Sequence, residues 1–408
     1  MKEPELPWEM ALPAAAAQRV DLLSLEEEGL LALVAQEGER PFRARQIFAW
    51  LHQRGARSLD EMSDLPKGFR ERLGALGELR SLEVDAVRVA TDGTRKYRLR
   101  THDGRFVESV YIPNASGPGK NALCISSQVG CAMGCAFCAT AALSLVRHLS
   151  PGEIVGQLYA VLRDLEANVS ASAAAPMATT PDEAEADLER ELVDERAPLA
   201  PRRVQNIVFM GMGEPLHNLE HVLASIRLLT SPQGQGMSPR RITVSTSGLV
   251  PAIARLGAES EVHLAVSLNA TTDEARARIM PVDRRWPIAA LMSALDAFPQ
   301  PPRRRITLEY VMLAGVNDSD DDARRLAALV RGKRFKVNLI PFNAHPLSPF
   351  TRPEPGRVEA FRALLDRARV ACFVRSTRGL DIDAACGMLG AQKLEAARKG
   401  ALSVLPPG

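Results

Sequence analysis

The chain has 408 residues, 46% hydrophobic and 25% charged, which is an ordinary globular composition and too long for one small domain. With 51 basic against 49 acidic side chains, the net charge of +2 announces no polyanionic partner. Six cysteines, three of them within residues 131–138, argue against a secreted disulfide scaffold, and no apolar run approaches the ~20 residues that cross a bilayer.

Residues 1–20 are rich in Pro and Ala and read as a disordered tail, with no apolar core of a signal peptide, so the expected compartment is the cytoplasm. Residues 21–80 have helical periodicity and read as a small accessory domain with a basic surface, which suits an RNA contact and an ordinary solvated helix face about equally. Ser24 followed by Glu27 is a capping-box pattern, and Pro41 sits where a helix can begin. The second helix should bury Phe42, Ile47, Trp50 and Leu51, leaving Arg43, Arg45, His52 and Arg54 in solvent. From about residue 81 to 120 the period changes to two. Turns at Asp92-Gly93 and Asp103-Gly104 separate alternating strands, a β-hairpin linker that carries Glu108.

Residues 121–394 alternate short apolar runs (122–128, 204–213, 241–248, 262–270, 305–315, 336–343, 371–377) with amphipathic helical segments. That rhythm predicts an α/β fold: a parallel sheet covered by helices, doubly wound or a full or partial barrel, with ligands at the C-terminal strand ends. Residues 168–200 interrupt it. They are Ala/Ser/Thr-rich and then acidic, with eight acids and two arginines, and read as a mobile insertion whose charge of −6 hides about +8 on the rest of the chain. Residues 395–408 read as a second tail.

The strongest chemical signal is Cys131-x-x-x-Cys135-x-x-Cys138, following a strand and holding Gly130 and Gly134. Three thiolates on one loop suit three corners of an iron–sulfur cluster and leave a fourth iron without a protein ligand. A structural zinc site, which wants four ligands, is the lesser reading. Further along, Gly211-Met-Gly213-Glu214-Pro ends one strand. Ser245, then Ser267-Leu268-Asn269, then Asn343 close three more, forming a polar ring around one mouth.

The cysteine loop resembles the signature of the radical S-adenosylmethionine enzymes, which implies a partial (β/α)6 barrel with one 4Fe–4S cluster and S-adenosylmethionine as cofactors. By the same resemblance Gly213, Glu214, Ser245, Ser267, Leu268, Asn269 and Asn343 would bind S-adenosylmethionine. GMGEP, VSTSG, SLN and DIDAACG occur in order, from about Leu22 to Gln392, and closely resemble the dual-specificity adenine-C2 RNA methyltransferases.

That resemblance implies 23S ribosomal RNA and transfer RNA as substrates, and two S-adenosylmethionine molecules consumed per methylation. It also implies a low-potential electron donor such as flavodoxin or ferredoxin, and a monomer without membrane attachment. The first S-adenosylmethionine would methylate Cys386, in the catalytic loop 375–390. A radical made from the second would activate that methyl group to add to adenine C2. Glu108 would accept the C2 proton, and Cys124 would release the product through a transient disulfide with Cys386. The sister activity, methylation at adenine C8, uses the same cysteines and stays open from the sequence. Departures from the family pattern are Ser144 in place of glycine, RHL (147–149) in place of RNL, and His217.

Overall fold

A computed structural model of the chain describes residues 19–114, 120–173, 204–301 and 304–390, with side chains omitted for 168–173. Residues 1–18 of the first proposed tail, all of the second, most of the 168–200 insertion, and Arg202, Arg203 and Arg303 lie outside the described residues; Val20, placed in the first tail, instead pairs with Gly77 in a short parallel strand.

Three helices open the fold: α1 (Glu27–Gln36), α2 (Phe42–His52) and α3 (Lys67–Leu76). The capping box does not form. The residue preceding α1 is Glu26, which makes no side-chain cap, and Ser24 instead closes a short 3-10 turn by donating to Asp21 at 2.5 Å. In α2, Ile47, Trp50 and Leu51 are buried as expected, but Phe42 is partly exposed beneath the Arg43 guanidinium. His52 is a further correction: it is fully buried and its Nδ1 lies 2.9 Å from the Tyr159 hydroxyl, because the end of α2 abuts the long helix α4 (Pro151–Ala173) rather than water. The same seam holds Gly152, where a Cβ would stand 2.6 Å from the Asp21 carboxylate.

Ten strands form one sheet. β1 (Glu83–Val89), β2 (Arg95–Arg100) and β3 (Phe106–Ile112) are antiparallel, and both intervening turns place glycine at positive φ. β3 pairs antiparallel with β4 (Ala122–Cys124), so the hairpin continues directly into the main sheet, with Val110 opposite Cys124. From β4 onward every strand is parallel and is added on the same side. β5 (Asn206–Phe209), β6 (Ile242–Thr246) and β7 (His263–Ser267) are followed by β8 (Ile306–Met312), β9 (Phe335–Pro341) and β10 (Cys372–Val374).

The crossovers are α4, then α5 (Leu219–Thr230), α6 (Val250–Glu259), the pair α7 (Asp273–Ile279) and α8 (Ile288–Ala297), α9 (Asp320–Val330) and α10 (Pro355–Arg367). Right-handed crossovers that always advance in one direction leave every helix on one face, which gives a barrel-like rather than a doubly wound sheet. The architecture is thus six strand–helix units followed by a seventh strand, an open (β/α)6 barrel with a small helical domain and a hairpin extension.

Period-two alternation then sorts the side chains. Leu123, Ile207, Phe209, Val244, Leu264, Leu308, Tyr310, Val337 and Leu339 face the helices and are buried. The register places Glu108, Cys124, Ser245, Ser267, Glu309 and Asn338 on the opposite, inner face.

Candidate functional site

The cysteine loop leaves β4 through a short antiparallel pair, Gln128–Val129 with Arg147–His148. Gly130 has φ 77°, and a Cβ there would stand 1.7 Å from the Ser144 carbonyl oxygen, so only glycine lets the two passes of chain cross. Cys131 N–H donates to that same carbonyl at 3.2 Å. Further contacts fix the loop: Ala136 N–H donates to Ile279 O (2.9 Å) and Cys138 N–H to Cys135 O (3.0 Å). Cys138 bears on both of the other thiols and Cys131 on Cys135; burial first, and then these neighbours, push Cys131 up to about 12 and Cys135 well above the ordinary thiol value. No three His, Cys, Asp or Glu among the described residues close around a single ion. Three thiols on one loop suit three corners of an iron–sulfur cluster, whose metal charge would favour the thiolates that burial alone opposes.

Opposite the loop lies the GE turn. Gly213 has φ 102°, and a Cβ there would meet the Gln128 side chain at 2.6 Å. Gln128 Oε1 accepts the Glu214 N–H at 2.8 Å. Its amide nitrogen therefore faces His148 Nδ1 (2.9 Å) and His217 Nδ1 (3.2 Å), whose rings meet edge to face at 5.0 Å. Two residues that depart from the family pattern thus meet at one brace of this turn. Glu214 is buried. Its Oε1 accepts Leu216 N–H (3.0 Å) and its Oε2 Ser247 N–H (2.7 Å), so the carboxylate ties two strand ends together as well as facing the cysteine loop.

The SLN segment is similarly anchored. Asn269, at φ 56°, has Oδ1 accepting Val311 N–H (2.7 Å) and Nδ2 against Met280 Sδ (3.2 Å), while Leu268 N–H donates to Glu309 O (3.0 Å). Arg276 pins the segment from behind. Fully buried, it donates to the carbonyls of Leu268, Ser267 and Ser247 and pairs with Asp283 at 2.9 Å. Sequence reading missed it because one arginine in ARARIM looks like a solvated helix residue. Ser245 and Ser267 lie on the inner face, both half-buried.

The loop after β10 carries Cys386, which is exposed. Asn343 Nδ2 donates to the Cys386 carbonyl at 3.3 Å, and its Oδ1 accepts from Arg352 (3.2 Å) and Thr377 (3.1 Å). Ala139 N–H donates to Gly387 O and Thr140 Oγ1 to Leu389 O, both at 2.8 Å, which ties the cysteine loop to the Cys386 loop. Gly390 N–H donates to Glu108 Oε2 at 2.8 Å. Burial first, and then the nearby Cys386, push the Cys124 thiol up to about 12, with Arg375 opposing. Arg375 itself is held in its charged form chiefly by Cys386, then by Glu309 and Cys124. Glu309 accepts from Asn338 Nδ2 at 3.1 Å and its other oxygen, Oε2, is buried without a hydrogen-bond partner. Neither Arg375 nor Glu309 has a local motif; strand register is the signal that could have found them.

The structure therefore brings together Glu108, Cys124, Cys386, Asn343 and the cysteine loop. The disulfide implied by the resemblance is not formed: Cys124 and Cys386 are both free thiols.

An open parallel barrel with a three-cysteine loop after its first parallel strand defines a radical S-adenosylmethionine enzyme. Residues 125–327 match the model of the Radical SAM superfamily, and residues 20–79 match the ribosomal RNA large subunit methyltransferase N-terminal domain. The chain is 49% identical to the dual-specificity RNA methyltransferase RlmN of Anaeromyxobacter dehalogenans, over 91% of this chain and 92% of the relative. It is 47% identical to the dual-specificity RNA methyltransferase RlmN 2 of Myxococcus xanthus, over 94% of each. A crystal structure of a radical SAM methyltransferase from Sphaerobacter thermophilus superposes with a TM-score of 0.78 at 39% identity, covering 91% of this chain and 99% of that one. The chain belongs to the RlmN family of dual-specificity RNA methyltransferases.

Proposed function

We propose that this RNA methyltransferase transfers a methyl group to C2 of adenine in 23S ribosomal and transfer RNA, by way of a methylated Cys386. The carrying observation is that one hydrogen-bonded assembly holds a carboxylate, the Cys386 segment and a three-cysteine loop against each other, with Cys124 on the strand beside them: Glu108 to Gly390, Asn343 to Cys386, and the cysteine loop to Gly387 and Leu389.

Cys131, Cys135 and Cys138 hold three irons of a 4Fe–4S cluster, and Gly213, Glu214, Ser245, Ser267, Leu268, Asn269 and Asn343 line the S-adenosylmethionine side. When bound, the cluster and S-adenosylmethionine supply a carbon-centred radical that the protein only positions. Asn343 orients the Cys386 backbone so that its exposed sulfur can receive and present the methyl group. Cys124, buried and kept protonated by that burial, does not compete as nucleophile until it is needed to resolve the thioether. Glu108 stands on the same face to take the proton that leaves C2. Adenine C2 is the minor-groove edge of a stacked base, so the target must be single-stranded or extruded.

RNA contacts are assigned to the helical domain, with Arg43, Arg45 and Arg54, and to Arg240, Arg241, Arg284, Arg285, Arg304 and Arg305 around the barrel. Binding that falls steeply with salt is the expected signature. No helix among the described residues is long and apolar enough to cross a membrane. A cytoplasmic monomer reduced by flavodoxin or ferredoxin completes the reading. Expression in a strain lacking C2 methylation should yield 2-methyladenosine in both RNA classes by nucleoside mass spectrometry; 8-methyladenosine would overturn the regiochemistry. The anaerobic protein should be brown, and Cys135→Ala should abolish that absorbance.

A further inference from the structure

We propose that Lys96 is a positioning residue that couples the base to the cysteine carrier, a proposal that rests on the adenine-C2 reading above. Lys96 lies on β2 with its side chain on the inner face and is 3% exposed, a rare condition for a lysine. Its Nζ is 3.2 Å from Glu108 Oε2 and donates to the Asp383 carbonyl at 3.0 Å. The same Glu108 oxygen accepts Gly390 N–H, so one ammonium and one carboxylate span the loop on both sides of Cys386, at 383 and at 390.

The surrounding charges leave Lys96 as the nearest cation to this carboxylate. From β2, Arg98 stands opposite Glu108 in register but pairs with Asp85 of β1. From the loop, Asp381 accepts Thr91 N–H, and Arg378 faces Asp92 at the hairpin turn. From β4 comes the Cys124 thiol, opposite Val110, and the loop itself adds Asp383 and Cys386.

Two consequences follow from a buried ammonium at this place. The ammonium compensates the carboxylate assigned as the base, in a site from which water is largely excluded. When the C2 proton passes to Glu108, with the C–H electron pair staying on the ring, the carboxylate loses its charge and its hold on both Lys96 and Gly390 weakens. The 383 tether survives and the 390 tether loosens, which frees the Cys386 end of the loop for attack by Cys124 after the proton has moved.

The test compares wild type, Lys96→Met, Lys96→Gln and Lys96→Arg as anaerobically reconstituted holoenzymes. Cys386 methylation is read by peptide mass spectrometry, iron content by absorbance, and 2-methyladenosine formation from about pH 6 to about pH 9. Lys96→Met and Lys96→Gln should keep wild-type iron and Cys386 methylation, lose about tenfold or more in RNA methylation, and move the acid limb of the rate profile to higher pH. Lys96→Arg should restore most of the rate. Unchanged rate and profile in Lys96→Gln, or a loss that falls equally on Cys386 methylation, overturns the proposal. A wild-type enzyme that forms no 2-methyladenosine overturns the assigned activity and the proposal with it; wild-type product with an unaltered Lys96→Gln profile overturns the proposal alone.

Discussion

The crossing of Gly130 and Ser144 predicts opposite outcomes for two adjacent substitutions. In Gly130→Ala the new methyl would stand 1.7 Å from the Ser144 carbonyl oxygen, at a backbone φ of 77°. Relief requires a shift of more than an ångström, yet the chain is fixed on both sides: Val129 O accepts Val146 N–H at 2.9 Å, and Cys131 N–H holds Ser144 O at 3.2 Å. Overpacking and the positive φ together should cost about 2–5 kcal/mol and displace the first cysteine of the loop. Ser144→Gly acts on the same crossing with the other sign. Ser144 sits at φ 51°, ψ 164°, a region that is nearly glycine-only and strains other residues by about 1–3 kcal/mol. The greater freedom of glycine in the unfolded chain returns about 0.5–1 kcal/mol of that, which leaves a net gain of roughly 1 kcal/mol. Urea unfolding midpoints and iron bound per chain after anaerobic reconstitution measure both. Wild-type iron and midpoint in Gly130→Ala, or a lowered midpoint in Ser144→Gly, would refute the reasoning.

Three further outcomes are expected. Arg276→Met leaves Asp283 buried without its partner and releases three carbonyls at the SLN segment, so stability should fall by about 3–5 kcal/mol, read from the urea midpoint. Iodoacetamide applied to the native, unmethylated protein should label exposed Cys386 but not Cys124, which is buried and pushed up to about 12; equal labelling would contradict the placement. Burial lowers His148 from 6.5 to about 4. Its neutral form therefore contributes stability that is complete above pH 6.5 and is lost as pH falls toward 4. His148→Asn should flatten that part of the stability–pH curve, and an unaltered slope would show that the ring titrates freely.

The sequence alone was enough for the cysteine loop, the strand–helix rhythm and the hairpin, because each depends on short-range spacing: thiols three and four residues apart, period-two alternation, and glycines after aspartates at the turns. Its ordered motifs also pointed to Glu108, Cys124 and Cys386 across nearly 280 residues of chain, but through resemblance to a family rather than through any local rule. Local patterns misled where a neighbour distant in sequence decided the environment. Ser24 looked like a helix cap and closes a turn against Asp21; His52 looked solvated and is buried against Tyr159. The partial barrel was implied by the family resemblance, but only the tertiary structure decided that the hairpin joins the barrel sheet, since pairing Val110 with Cys124 is a matter of register between strands. That register is what brings Lys96, Glu309 and Arg375 to the inner face. A buried charge is chosen by the partner that compensates it, and the partners here lie up to 287 positions away along the chain.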